Sequence, residues 1–177
     1  VLVQEEKDFA TALSRAIAED LRANPAAGAL VRVVVRWFDE ADPLNLSVHT
    51  LGSVERPEVW PEHAWSPLEW ENLDEEGVRS CRVMDDPDVW LTAEALAAVY
   101  QASPPERDYD RWTPSPAITE AVRQLLPTLR AARVPLEPDF AASAAHFEGM
   151  GALAVLEDLA APDLLAGLAA LGELPTE

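Results

Sequence analysis

A chain of 177 residues, 49% hydrophobic and 25% charged, has the length and composition of one globular domain with a single core, which excludes a disordered chain and leaves little room for a second domain. Thirty-two acidic against 13 basic residues set the net charge at -19, so a nucleic-acid backbone would be repelled, and no local basic patch offsets that field. Cys81 is the only cysteine, which excludes an intramolecular disulfide, and no window approaches the roughly 18 uncharged apolar residues of a membrane span.

In chain order, Phe9, Leu13, Ile17 and Leu21 recur every four residues and predict an amphipathic helix over Gln4 to Ala23, ended by Asn24 and Pro25. Leu30 to Phe38 is rich in β-branched and aromatic residues and reads as a strand. Val31, Val33, Val35 and Trp37 alternate with Arg32, Val34, Arg36 and Phe38, and one face is a core face. Asp39 to Pro43 is turn chemistry, and Asn45 to Val54 is expected to return as the second strand of a hairpin. Trp60, Trp65 and Trp70 follow at a spacing of five, with Pro57, Pro61 and Pro67 among them, a period that fits an ordered loop better than a helix or strand. Asn72 with Asp74, Glu75 and Glu76 is a helix-start signature, predicting a helix to about Met84.

After the turn at Asp85 to Asp88, Leu91, Ala95, Leu96 and Val99 describe a helical stripe ending near Ala102. Ser103 to Pro116 is a connector bearing Tyr109 and Trp112. Ser115 and Pro116 then open a helix whose core stripe is Ile118, Val122, Leu125, Leu126 and Leu129, with a kink expected at Pro127. Asp139 to Glu148 could alternate as a strand or coil as a helix, and is assigned as a third strand. Leu153, Leu156 and Leu159, then Leu164, Leu165, Leu168 and Leu171, predict two short helices divided by Pro162 and closed by Gly172. The fold class read from this order is α+β, a small, largely antiparallel sheet packed by helices in a single domain spanning residues 1–177.

Little in the sequence points to catalysis. The three histidines, His49, His63 and His146, could join Glu62 or Asp139 at a divalent ion and so support a metal-dependent hydrolase, but no closely spaced ligand pair is present. No serine stands in a glycine elbow and no glycine-rich phosphate loop occurs, so no catalytic residue and no cofactor is assigned. Cys81 is read as a buried small residue within the predicted helix, and Glu69, between Leu68 and Trp70, as a brace for its loop.

The acids are unevenly placed. Pro57 to Glu76 carries seven acids and no Lys or Arg, and Val134 to Glu177 carries eight acids and no Lys or Arg. Solubility alone accounts for such territories, and so does a cationic partner. The tryptophans raise the same pair of readings, because a loop crossing a small sheet uses Trp as a plug, whereas an interface uses it as a rigid anchor. The binding reading places Trp60 and Trp65 with Glu58, Glu62, Glu71, Asp74 and Glu75 on one surface for a basic protein. An oligomer formed through the leucine-rich C-terminal helices is the third reading.

The early amphipathic helix, the hairpin, the Trp65 to Trp70 motif and the segment from Asp139 and Phe140 to Glu148, leading into the leucine helices and Gly172 to Pro175, resemble an uncharacterised bacterial family known only as a domain of unknown function. The resemblance implies an α+β fold with a small helix-packed sheet and no assigned activity, and it brings the expectation of an immunity or accessory partner of the kind encoded near toxins. No basic segment leads into an apolar run near Val1, and Arg supplies every positive charge except Lys7. The expected setting is a reducing bacterial cytoplasm.

Overall fold

The computed structural model describes residues 1–39, 42–70, 79–106 and 112–175. The four-residue apolar repeat produces helix α1 (Gln4–Ala23), with Phe9, Leu13, Ile17 and Leu21 all buried. Glu6 accepts the Val3 amide at 2.9 Å, satisfying one of the free donors at the helix start, and the Asn24 amide closes the other end on the Asp20 carbonyl at 2.8 Å.

The β-branched run forms β1 (Leu30–Trp37), which pairs antiparallel with β2 (Leu46–Gly52), Val35 opposite Val48. The ambiguous late segment is a strand, β4 (Leu136–His146), and it runs parallel to β1 with Val34 opposite Ser143. A short strand, β3 (Arg79–Cys81), completes the opposite edge, antiparallel to β2, giving the order β3-β2-β1-β4. The α+β class therefore holds, with a mixed sheet in which one pairing is parallel. A parallel neighbour requires a long crossover, and helices α3 (Pro87–Ala102) and α4 (Pro116–Ala131) lie within it.

Two helical expectations change. Of the helix predicted from Asn72 to Met84, residues 72–78 lie outside the described residues, while Arg79–Cys81 is strand and Val83–Asp85 a 3-10 turn. Cys81 consequently sits on β3, buried opposite Val48, because the edge of β2 supplies backbone partners that an isolated helical turn would forgo. In α3 the buried stripe is Val89, Ala93, Leu96 and Tyr100, and Leu91 is exposed. Asp86 sets this phase as N-cap, accepting the Asp88 and Val89 amides at 2.9 and 3.2 Å. The Tyr100 hydroxyl, which donates to Glu6 at 3.0 Å, fixes the far end against α1. Helix α4 runs on through Pro127, which is exposed.

All eight residues of β1 are buried, so the sheet is covered on both faces. On the first face, Val33, Val35 and Trp37 pack with the apolar stripes of α1, α3 and α4. On the second, Val34, Leu51, Ala141 and Ala145 meet Trp65, Trp70, α5 (Ala152–Leu159) through Leu156, and α6 (Pro162–Leu171) through Leu168. The strand face bearing Arg32 and Arg36 is thereby interior as well. Among the described residues no helix is long and apolar enough to cross a membrane.

Candidate interaction surface

Covering the second face forces a charge inside. Leu30 faces Gly52 and Leu136, whereas Arg32 faces Leu51 and Ala141, so both ladders carry an irregularity there, and residues 137–140 of β4 loop out beside Arg32. The Arg32 side chain is fully buried. Its Nη1 donates to the Val31 and Asp139 carbonyls at 2.8 and 2.7 Å, and its Nη2 donates to Asp139 Oδ2 at 3.3 Å and to Glu173 Oε2. Arg56 closes the group from the other side, donating to both oxygens of Asp139 at 3.1 and 2.5 Å and twice to Glu173 Oε1, at 3.2 and 2.9 Å. The Trp65 ring lies 5.3 Å from the Arg32 guanidinium, within cation–π range, and the Trp65 indole N–H donates to the Glu173 carbonyl at 2.7 Å.

The electrostatics follow from this packing. Burial pushes the Arg32 guanidinium below its ordinary value, opposed by Glu173 and Asp139. The hydrogen bond to Asp139 raises Arg56, with Glu173 adding to it. Burial acts to raise Asp139, but the hydrogen bond from Arg56 and the charges of Arg32 and Arg56 together outweigh it and hold the carboxyl below its ordinary range. Two guanidinium groups and two carboxylates are thus matched and mutually hydrogen-bonded, which suits a clamp and leaves no poised acid or base.

The clamp positions what surrounds it. Arg56 opens the 3-10 turn Arg56–Glu58, and a second turn, Pro61–His63, follows Trp60. The His63 amide donates to the Trp60 carbonyl at 2.8 Å, and the His63 carbonyl accepts the indole N–H of Trp70, at the end of α2 (Pro67–Trp70), at 2.8 Å. Trp65 and Trp70 are 4% and 0% exposed, while Trp60, between exposed Glu58 and Glu62, is 68% exposed. The two readings of the tryptophan loop are therefore divided between its residues. At the other end of the clamp, Glu173 follows Gly172, whose left-handed conformation ends α6 beside exposed Leu171. A Cβ placed on Gly172 would stand 3.7 Å from Pro61, so the end of α6 abuts the Trp60 turn.

Of the residues assigned to binding from the sequence, Trp60, Glu58 and Glu62 share this surface. Trp65 is corrected to an interior position, because its indole N–H and ring are both engaged by the clamp. Glu71, Asp74 and Glu75 lie outside the described residues, as does the side chain of Glu69. Of the C-terminal leucines, Leu168 is buried in the chain's own core with Leu164 and Leu165 packed beside it, which leaves Leu171 outward. Arg32, Arg56 and Glu173 were not singled out from the sequence. The one signal for them was a pair of arginines within an otherwise apolar strand.

The histidines do not converge. His49 contacts the Ser47 and Ser80 hydroxyls at 3.0 and 3.4 Å, and His146 is enclosed by the rings of Trp37, Trp112 and Phe147. Among the described residues no three His, Cys, Asp or Glu side chains gather at metal-binding spacing. A cleft of about 720 Å³ between the start of α1, the end of α3 and the connector holds Glu6 and Tyr100. Both Glu6 oxygens carry the structural bonds already described, and burial raises the Tyr100 hydroxyl well above its ordinary value, so this pair serves packing. Comparison with protein-family models, with curated proteins and with solved structures returns no match.

Proposed function

We propose that the chain is an acidic protein-binding module, an inhibitor- or immunity-type partner that docks on a basic protein through Trp60 and the carboxylates of Glu58 and Glu62. The observation that carries this reading is the exposure of Trp60, 68% against 4% and 0% for Trp65 and Trp70 in the same loop. A rigid ring held outward between two acids has the composition of an interface anchor, and the turns that present it are tied to the Arg32–Glu173 clamp, so little ordering cost remains for binding. The net charge of -19 supports a cationic partner by raising the encounter rate and rejecting acidic competitors.

The test is retention of basic proteins from a bacterial lysate on the immobilised chain at low and high salt, beside Trp60→Ala and the double variant Glu58→Lys, Glu62→Lys. A protein held by the native chain, released by salt and missed by both variants is the expected result. Equal retention by all three chains overturns the reading.

A further inference from the structure

Helix α6 is apolar on a side the fold leaves open. Its sequence, Pro162 to Leu171, contains Asp163 as its one charged residue, and Leu168 is its one fully buried residue. Ala166, Gly167, Ala169 and Ala170 are exposed, Leu171 is 50% exposed, and a Cβ on Gly167 would meet nothing within 4 Å. A helix this poor in charge ordinarily has a neighbour on each side. The end of α6 meets the turn that carries Trp60, since a Cβ on Gly172 would stand 3.7 Å from Pro61, and exposed Leu171 and exposed Trp60 are the chain neighbours of that contact. The rim is acidic: Glu58 and Glu62 stand beside Trp60, and exposed Asp163 stands at the start of α6.

We infer that this composite face is the seat of a basic amphipathic helix of the partner, its apolar stripe lying on α6 and Trp60 and its flanking Lys or Arg residues meeting Glu58, Glu62 and Asp163. The inference rests on the protein-binding reading above and adds the chemistry of the occupant. Charge selects it: a second copy of this chain would bring another -19 and an acidic rim against an acidic rim. Shape agrees, since side chains no larger than Ala over the middle of α6 let a second helix approach closely. The clamp holds the two halves of the seat together, Arg56 preceding the Trp60 turn and Glu173 following α6.

The experiment uses the full chain and three labelled synthetic peptides followed by fluorescence anisotropy: a Lys-flanked Leu/Ala amphipathic helix, a scrambled peptide of the same composition without an apolar face, and the first peptide with Glu for Lys. The expected result is binding of the first peptide at least about tenfold tighter than the scrambled one and no binding of the acidic one. Trp60→Ala and the neutral pair Ala166→Gln, Ala170→Gln should each weaken it by about tenfold or more, while Leu91→Gln, a control on exposed α3, leaves it unchanged. Gln is a good helix former at these exposed positions, and circular dichroism confirms that the variants fold. Equal affinity for the scrambled peptide, insensitivity to the α6 pair, or a dimer in light scattering that the α6 pair dissolves each overturns the inference. If the peptides fail while the lysate capture still depends on Trp60, Glu58 and Glu62, the binding reading stands without the helix; if both fail, both fall.

Discussion

Arg32 is where the fold takes its largest electrostatic risk. A fully buried guanidinium depends on its counter-charges, and removing one partner of such a group typically costs about 3–5 kcal/mol because the other is left uncompensated. Glu173→Gln, which removes one of the two carboxylates meeting Arg32, is expected to lower stability by about 3 kcal/mol or more in urea unfolding. Arg56→Gln should cost less, since its side chain is 27% exposed and screened by solvent. A Glu173→Gln chain within about 1 kcal/mol of the native one would show that the clamp is dispensable. Asp139 makes the same argument in pH. Its folded-state pKa is depressed, so it contributes stability that is present above the ordinary carboxyl value, near 4, and lost as pH falls through the lower folded value. The stability gap between native and Asp139→Asn chains is expected to be full at neutral pH and to close below about pH 4, measured by urea midpoints across that range.

Between one element and the next, residues of one type take opposite roles. Trp65 and Trp70 fill the second face of the sheet, so truncating either to Ala is expected to cost about 3–5 kcal/mol, whereas Trp60→Ala should change thermal unfolding by no more than about 0.5 kcal/mol. Those three substitutions separate the plug from the anchor without any ligand. Backbone demands are as local. Gly151, before α5, has φ +88°, and a Cβ there would lie 2.2 Å from the Trp112 carbonyl oxygen. Gly151→Ala combines that clash with an unfavourable φ and should destabilise by more than about 1 kcal/mol in the same assay, while Gly167→Ala, open on α6, should stabilise by about 0.5–1 kcal/mol. Pattern was a good guide where an element answers to its own residues: α1 runs over Gln4–Ala23 as its apolar repeat and Asn24–Pro25 stop require. It failed at β3, where three residues follow a helix-start signature and only the free edge of β2 makes them a strand.

For the molecule as a whole, a net charge of -19 over 177 residues means self-repulsion in the native state, relieved by salt. The melting temperature is expected to rise as salt is added from very low ionic strength, and a flat or falling profile would mean that local pairing already offsets the excess of acid. The acidic charge, the lack of a phosphate-binding motif and the α+β class follow from residue types and short-range periodicity, which need no knowledge of what lies across the core. The parallel seat of β4, the burial of Arg32 and the division of the tryptophans into two inward and one outward were decided by tertiary structure. Arg32 meets partners 107 and 141 residues away, and α5, α6 and the tryptophan loop close over its face of β1. Trp60, Trp65 and Trp70 are equivalent by type and by their spacing of five, and which of them remains outside depends on how Arg56 and Glu173 tie the loop to the sheet. Period and composition report the environment a residue prefers, whereas the partner that supplies it is set by contacts far apart in the chain.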